Sequence, residues 1–365
     1  MSRKIKAVLL GDAMIPGKGF GAAWGKCLKD YGNDIVVGDW EPNWEKLQYR
    51  RLEVEKQGPE IETVPELVAQ AGSDAELLAG LFVPVSSKVF DAMPNLKIVG
   101  VSRAGLENVN VAEATKRGVL VFNVQGRNAH AVSDFAVGMM LAECRNIARA
   151  HNSIKNGTWR KTFENSATVP ELTGRNVGII GFGYIGRLVA QKLSGFNMNR
   201  MVFDPYTSEE DIREAGCTKV DLETLMRESD FVTLHARLTE SNKNMIGKKE
   251  IALMKPTAYL INTGRAGLVD QKALAAALKD KKISGAALDV FTTEPIPEDS
   301  DFLKLDNVTL TTHLAGTTAD ALGNSPSLLL EDINKFLKND KPRFMVNPEV
   351  LEMDSFKQWI AKVRE

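Results

Sequence analysis

Apolar runs of strand length alternate with segments of helical period along the chain, the pattern of a doubly wound α/β protein. In the first third, IKAVLL, DIVVGDW, AGLFVPV, LKIVGV and GVLVFN read as strands, and their near-continuous apolar character fits parallel strands buried on both faces. Between them lie the charged NWEKLQYRRLEVEKQ, read as a solvated helix face, and the helix-like TVPELVAQAG and VAEATKRG. From Asn128 to about Trp159 there is no Pro, and Val132, Phe135, Ala136, Met139, Met140, Cys144 and Ile147 recur at helical period. This spacing predicts one long helix, and a domain boundary is placed at its start. A second α/β set follows in VGIIGFG, MVFD, FVTLHA, AYLINTG, GAALDV and VTLTTH. After Gly316 the run SPSLLLEDINKFLKND reads as a helix, with a Pro-containing tail too short for a further regulatory domain.

Length then bears on domain count, since 365 residues exceed one ordinary domain and point to two. With 44% hydrophobic and 25% charged residues, each can bury its own core. Lys and Arg (46) balance Asp and Glu (47), so no basic excess exists to contact the phosphates of a nucleic acid. The opening MSRKIKAVLLGDAMIPG has too short an apolar run for a signal peptide and is read as a first strand. No window is long and apolar enough to span a membrane. Cys27, Cys144 and Cys217 are widely spaced and form no CxxC pair, so buried thiols in a reducing cytoplasm are expected, with no metal site.

Chemistry enters at Gly181-Phe182-Gly183-Tyr184-Ile185-Gly186, which follows the strand VGII and opens a helix. Glycines there permit a tight turn and close approach of a pyrophosphate to backbone amides at a helix amino terminus. Asp204 ends the next strand about 18 residues beyond Gly186, where a carboxylate accepts the ribose hydroxyls of NAD and repels the extra phosphate of NADP. Downstream, Arg265, Asp289, Glu294 and His313 follow successive strand ends. Hydride transfer between a nicotinamide and a 2-hydroxy or 2-keto acid needs such a set. A His moves the hydroxyl proton, a Glu on its other nitrogen fixes the tautomer and stabilises the imidazolium, and an Arg holds the carboxylate and polarises the carbonyl. His235 ends FVTLHA and has two readings, a wall of the cofactor crevice or a packing residue. His130 and His151 are read as structural.

At GFGYIG with Asp204, NTGRAGLVD, ALDVFTTEP and TTHLAGTT, in that order, the chain resembles the D-isomer-specific 2-hydroxyacid dehydrogenases, the family of phosphoglycerate, glycerate and formate dehydrogenases. The resemblance runs from about Leu77 to Asn347 and is loose over the first 75 residues. It implies a Rossmann NAD-binding domain (128–316) inserted in a flavodoxin-like substrate domain (1–127 and 317–365), with the catalytic cleft between them. It implies catalytic roles for Arg265, Glu294 and His313, and places Tyr184, Ile185, Asp204, Thr263 and Asp289 near the cofactor, beside Gly181, Gly183, Gly186 and Gly316. A homodimer joined through the cofactor domains, with the Asn128 helix in the contact, is also implied.

Where the family commonly has a glycine-rich turn whose amides hold the substrate carboxylate, this chain has Arg103-Ala104-Gly105-Leu106. Arg103 is either an Arg pairing with a neighbouring acid or the ligand of a second anionic or polyhydroxylated group on the substrate, such as a phosphate or a sugar acid. A phosphoglycerate dehydrogenase-like activity follows from the second reading. Arg237, where relatives often have Pro, has no assigned role. The alternatives are a glyoxylate or hydroxypyruvate reductase of broad specificity and an NAD(H)-sensing binding protein like the corepressors related to the family.

Overall fold

The computed structural model describes residues 3–71 and 73–365. The chain divides into two compact units, Met1–Arg127 with Thr318–Glu365, and Asn128–Thr317. Both are parallel sheets covered by helices.

In the first unit, β1 (Ala7–Asp12), β2 (Ile35–Glu41), β3 (Leu77–Gly80), β4 (Ile98–Val101) and β5 (Leu120–Asn123) form a sheet of order β2-β1-β3-β4-β5. This is the flavodoxin-like order, in which chain direction across the sheet reverses between β1 and β3. Alternate residues of one strand feed separate cores: Ala7 and Leu9 face one, Val8 and Leu10 the other. The first core receives Phe20 and Trp24 from the helix Gly17–Cys27 and Leu329, Ile333 and Phe336 from the helix Ala319–Leu337. It also receives Phe356, Trp359 and Val363 from a helix, Asp354–Arg364, that occupies the tail. Each such side chain contributes roughly 1.5–3 kcal/mol on burial, so the tail is an integral part of the unit.

The second unit contains β6 (Asn176–Ile180), β7 (Asn199–Phe203), β8 (Thr218–Lys219), β9 (Phe231–Leu234), β10 (Tyr259–Asn262), β11 (Gly285–Leu288) and β12 (Val308–Leu310). Their order is β12-β11-β10-β9-β6-β7-β8, all pairs parallel, with the reversal between β6 and β9.

The structure departs from the sequence expectation at three places. The single helix expected from Asn128 to Trp159 is two helices, Ala129–Cys144 and Ile147–Lys155, because Asn146 adopts a left-handed conformation (φ 58°). Side-chain bonds hold that break: Asn146 Nδ2 donates to Asn165 Oδ1 at 2.8 Å, and Arg149 donates to Asn146 Oδ1 at 2.7 Å. The strand expected over AGLFVPV ends at Gly80, and Phe82 instead donates its N–H to Asp12 Oδ2. The last long helix starts at Ala319, capped by Thr318 Oγ1 accepting from Ala321 N, and accommodates Pro326 in its interior.

Candidate active site

In open α/β sheets a crevice forms at the carboxyl ends of the strands where their order reverses. In the second unit that point is flanked by the loop after β6, Gly181 to Gly186, and the loop after β9, which begins at His235. The two loops touch. Gly181 has φ +91°, and a Cβ there would fall 2.4 Å from Ala236 N. A Cβ on Gly186 would fall 2.1 Å from the Gly181 carbonyl, which lets the helix Tyr184–Ser194 start directly against the strand. Gly183 has nothing within 4 Å of its Cβ position, so the turn is open where a phosphate would approach. Tyr184 stands exposed at the helix start, and Ile185 packs against the core beneath it.

Asp204, 9% exposed, follows β7 and ties this loop in place. One of its oxygens accepts from Phe182 N (2.6 Å), the other from Tyr206 N (2.8 Å) and Thr207 N (2.9 Å). Burial works against its charge, but the three backbone amides outweigh it and hold the carboxyl below the usual carboxylate range. The three amides, together with the Thr207 side chain, occupy most of the acceptor capacity of this carboxylate.

Two buried polar atoms on the same edge have no hydrogen-bond partner among the described residues, His235 Nδ1 and Thr263 Oγ1. Unsatisfied buried groups are costly, and their pairing here fits a site shaped for a polar ligand. His235 Nε2 sits 2.9 Å from Thr233 Oγ1, and burial pushes the imidazole down to about 3. His235 is therefore neutral near pH 7 and is no source of protons. A dinucleotide fits this residue set: an open glycine turn at a helix amino terminus, a carboxylate after β7, and unpaired polar atoms after β9 and β10.

Arg265, Glu294 and His313 follow β10, β11 and β12, adjacent strands at the same edge of the sheet. Strand spacing puts the β10 and β12 ends about 10 Å apart. His313 Nδ1 is 2.9 Å from Glu294 Oε2, and Glu294 Oε1 accepts from Phe291 N at 2.9 Å. The His313 side chain is 49% exposed, so its Nε2 edge is reachable. His313 has φ 59°, a left-handed conformation that a non-glycine residue keeps only when neighbours enforce it. Asp289 is that neighbour: fully buried, it accepts from Thr311 Oγ1 (2.6 Å), Leu314 N (2.9 Å) and Ala315 N (2.9 Å), bracketing His313. Its carboxylate is thus turned to the His313 loop. Gly316 ends that loop, and a Cβ there would meet Asn128 Nδ2 at 2.3 Å.

Arg265 is exposed, its Nη1 donates to the Gly264 carbonyl at 2.9 Å, and it makes no ion pair among the described residues. Asn262 sets its backbone, with Nδ2 donating to the Arg265 carbonyl and Oδ1 accepting from Gly264 N, both at 3.0 Å. Asn262 was not singled out from sequence; a fully buried amide ending an otherwise apolar strand was the available signal.

In the first unit, Arg103 follows β4, 14% exposed as a side chain, with Nη2 3.2 Å from both Glu55 Oε1 and Glu107 Oε2. The paired reading of Arg103 is what the structure displays. Beside it the Ala104 carbonyl accepts from Asn123 Nδ2 at 2.8 Å, and a Cβ on Gly105 would lie 2.3 Å from Glu107 Oε2. His130, half of the structural pair expected above, offers its carbonyl to Ser133 Oγ and Lys192 Nζ.

Residues 137–315 match the family model described as "D-isomer specific 2-hydroxyacid dehydrogenase, NAD binding domain". A glyoxylate reductase of Korarchaeum cryptofilum is 38% identical over 290 residues, covering 79% of this chain and 87% of that one. A D-3-phosphoglycerate dehydrogenase of Archaeoglobus fulgidus is 36% identical over 86% of this chain, which spans only 59% of its length. Among solved structures, a D-isomer specific 2-hydroxyacid dehydrogenase from Lactobacillus delbrueckii ssp. bulgaricus, in its NAD complexed form, superposes with a TM-score of 0.74 at 24% identity. It covers 94% of this chain and 100% of that one, a likeness of fold. No helix among the described residues is long and apolar enough to cross a membrane. A glycine turn at the sheet's reversal, three candidate groups on adjacent strand ends and a relative matched over most of both chains lead to one conclusion: this chain belongs to the D-isomer specific 2-hydroxyacid dehydrogenases, oxidoreductases that use NAD on the CH–OH group of their donors.

Proposed function

We propose that the enzyme interconverts a 2-hydroxy acid and its 2-keto acid, with Arg265, Glu294 and His313 as the catalytic set, on a substrate carrying a phosphate or the hydroxyls of a sugar acid. The observation that carries the reaction is the His313–Glu294 contact at 2.9 Å on the strand end two places from an Arg265 that makes no ion pair among the described residues. When bound, the cofactor would supply a hydride as NADH for reduction and accept one as NAD for oxidation. In reduction His313 gives its Nε2 proton to the carbonyl oxygen, and in oxidation it takes the hydroxyl proton back, while Nδ1 stays on Glu294. Arg265 holds the substrate carboxylate and stabilises negative charge on the reacting oxygen. Gly181, Gly183 and Gly186 with Tyr184 and Ile185 receive the pyrophosphate, Asp204 the ribose, and Thr263, His235 and Gly316 line the remainder, while Asp289 acts from beneath by holding the His313 loop.

A second reading, a glyoxylate or hydroxypyruvate reductase of broad specificity, is favoured by the glyoxylate reductase that matches over 87% of its length. A panel decides between them. Phosphorylated or sugar-derived 2-hydroxy acids are expected to outperform lactate and glycolate in NAD reduction; equal rates across the panel refute the first reading.

Asp204 yields a separate expectation. Its charge, sealed among three amides, should disfavour a 2′-phosphate by roughly 2–3 kcal/mol, so kcat/KM with NAD should exceed that with NADP about 100-fold. Parity of the two cofactors in one comparative assay would remove Asp204 from the ribose site.

A further inference from the structure

Glu294 can orient His313 only if its own carboxylate is held, and the group that holds it comes from the neighbouring strand's connection. After β10 the chain passes through the Arg265 turn, and Leu268 and Val269, both buried, fix it in the core of the second unit. Asp270 N donates to the Ile246 carbonyl at 3.0 Å, and Asp270 Oδ1 caps the helix Gln271–Lys279 by accepting from Lys272 N and Ala273 N, both at 3.0 Å. Gln271 therefore extends from a backbone fixed on both sides. Its side chain crosses to the loop after β11, the strand next to β10.

There Gln271 Nε2 donates to the Val290 carbonyl at 3.0 Å, while Oε1 accepts from Thr292 N (3.1 Å) and Thr292 Oγ1 (3.2 Å). A carboxamide serves the carbonyl and the N–H together, whereas a carboxylate can serve only the second. The residue between those two anchors is Phe291, whose N–H donates to Glu294 Oε1 at 2.9 Å. Glu294 Oε2 then lies 2.9 Å from His313 Nδ1, and Glu294 makes no other hydrogen bond among the described residues. The Phe291 ring packs edge-on against the buried Phe302, with centroids 6.5 Å apart, but a ring contact leaves the direction of the N–H free. Gln271 thus brackets Phe291 as Asp289 brackets His313. Each half of the His313–Glu294 pair has a loop clamped on both sides.

We propose that Gln271 is a positioning residue for proton transfer, acting through Phe291 N to aim Glu294 at His313. The inference rests on the reading of Glu294 and His313 given above. Gln271 stands directly after the NTGRAGLVD motif and belongs to no apolar run, so nothing in the sequence pattern marks it. A Gln271 that merely anchored its helix to the loop would change stability without changing the chemical step.

The test uses the full chain with NADH and two keto acids, glyoxylate and hydroxypyruvate. Gln271→Met, which keeps the bulk and removes the three hydrogen bonds, is expected to lower kcat roughly 10- to 100-fold, with KM for the keto acid and the NADH Kd within about threefold of the parent. Gln271→Glu should fall between, because it still accepts from Thr292 while the Val290 carbonyl loses its donor. In a Glu294→Ala background Gln271→Met should change kcat less than about twofold, since the group it acts through is gone; an independent, full-sized loss in that background overturns the proposal. So does a Gln271→Met enzyme that melts earlier yet keeps the parent kcat.

Labelling the chain's four histidines with 15N gives a readout that needs no turnover. The Nδ1–H proton signal of His313, identified by its absence in His313→Asn, is expected to move upfield or be lost to solvent exchange in Gln271→Met, with the signals of His130, His151 and His235 unchanged. If neither keto acid is reduced, or Glu294→Ala keeps the parent kcat, while this signal still depends on Gln271, the catalytic assignment fails and the positioning stands. If both keto acids are reduced and Glu294→Ala is slow, but no Gln271 variant alters kcat or the signal, the positioning fails alone.

Discussion

His313→Ala is expected to lower turnover about 10³-fold while leaving NADH affinity nearly intact, because a positioned general acid contributes roughly 10²–10⁴-fold. The residues placed at the pyrophosphate and the ribose lie after β6 and β7, whereas His313 follows β12. Its Nδ1 is committed to Glu294 at 2.9 Å, so the opposite nitrogen is the one presented to substrate. The other imidazole on this edge offers no substitute, since burial pushes His235 down to about 3 and keeps it neutral at any working pH. Stopped-flow reduction of a keto acid, paired with an NADH fluorescence titration, reads both quantities. A variant that turns over within tenfold of the parent would contradict the proton-transfer role. Asp289→Asn should show a weaker version of the same kinetic split, because Asp289 acts by holding the loop on both sides of His313.

Much of this arrangement was legible in the sequence because strand-end chemistry survives in one dimension. GFGYIG needed only a strand before it and a helix after it to be read, and Asp204 needed only its spacing. Arg265, Glu294 and His313 could be named from their places after apolar runs, though their order across the sheet, β12-β11-β10, came from the structure. Periodicity failed where side-chain hydrogen bonds override apolar spacing: Asn146 breaks a helix whose hydrophobic positions run on without interruption. The two-residue strand β8 is too short to carry a pattern. Asp289 was placed near the cofactor, but its three bonds to the loop around His313 depend on contacts more than 20 residues apart that no local motif records. The two Arg-Ala-Gly-Leu stretches show the limit best. Identical in sequence and alike in following strands, they diverge in charge balance: Arg103 sits against two carboxylates and Arg265 against none among the described residues.

That difference carries the second large effect. Arg265→Met is expected to lower kcat/KM about 10⁴-fold and Arg265→Lys about 10²–10³-fold, or roughly 3–5 kcal/mol of transition-state stabilisation. An unpaired guanidinium spends none of its field on a protein counter-ion, and its planar fork can bind a carboxylate with two parallel hydrogen bonds. Lysine restores the charge but presents a single rotatable ammonium, so it recovers attraction without the geometry. The backbone holding Arg265 is set by Asn262 and should survive either change, because both Asn262 bonds go to main-chain atoms. Folding and NADH binding are therefore expected to be retained. Added guanidinium chloride at low millimolar concentration should restore part of the Arg265→Ala rate if the lost function is carboxylate and carbonyl binding. A loss under tenfold in Arg265→Met would place substrate recognition elsewhere on this edge.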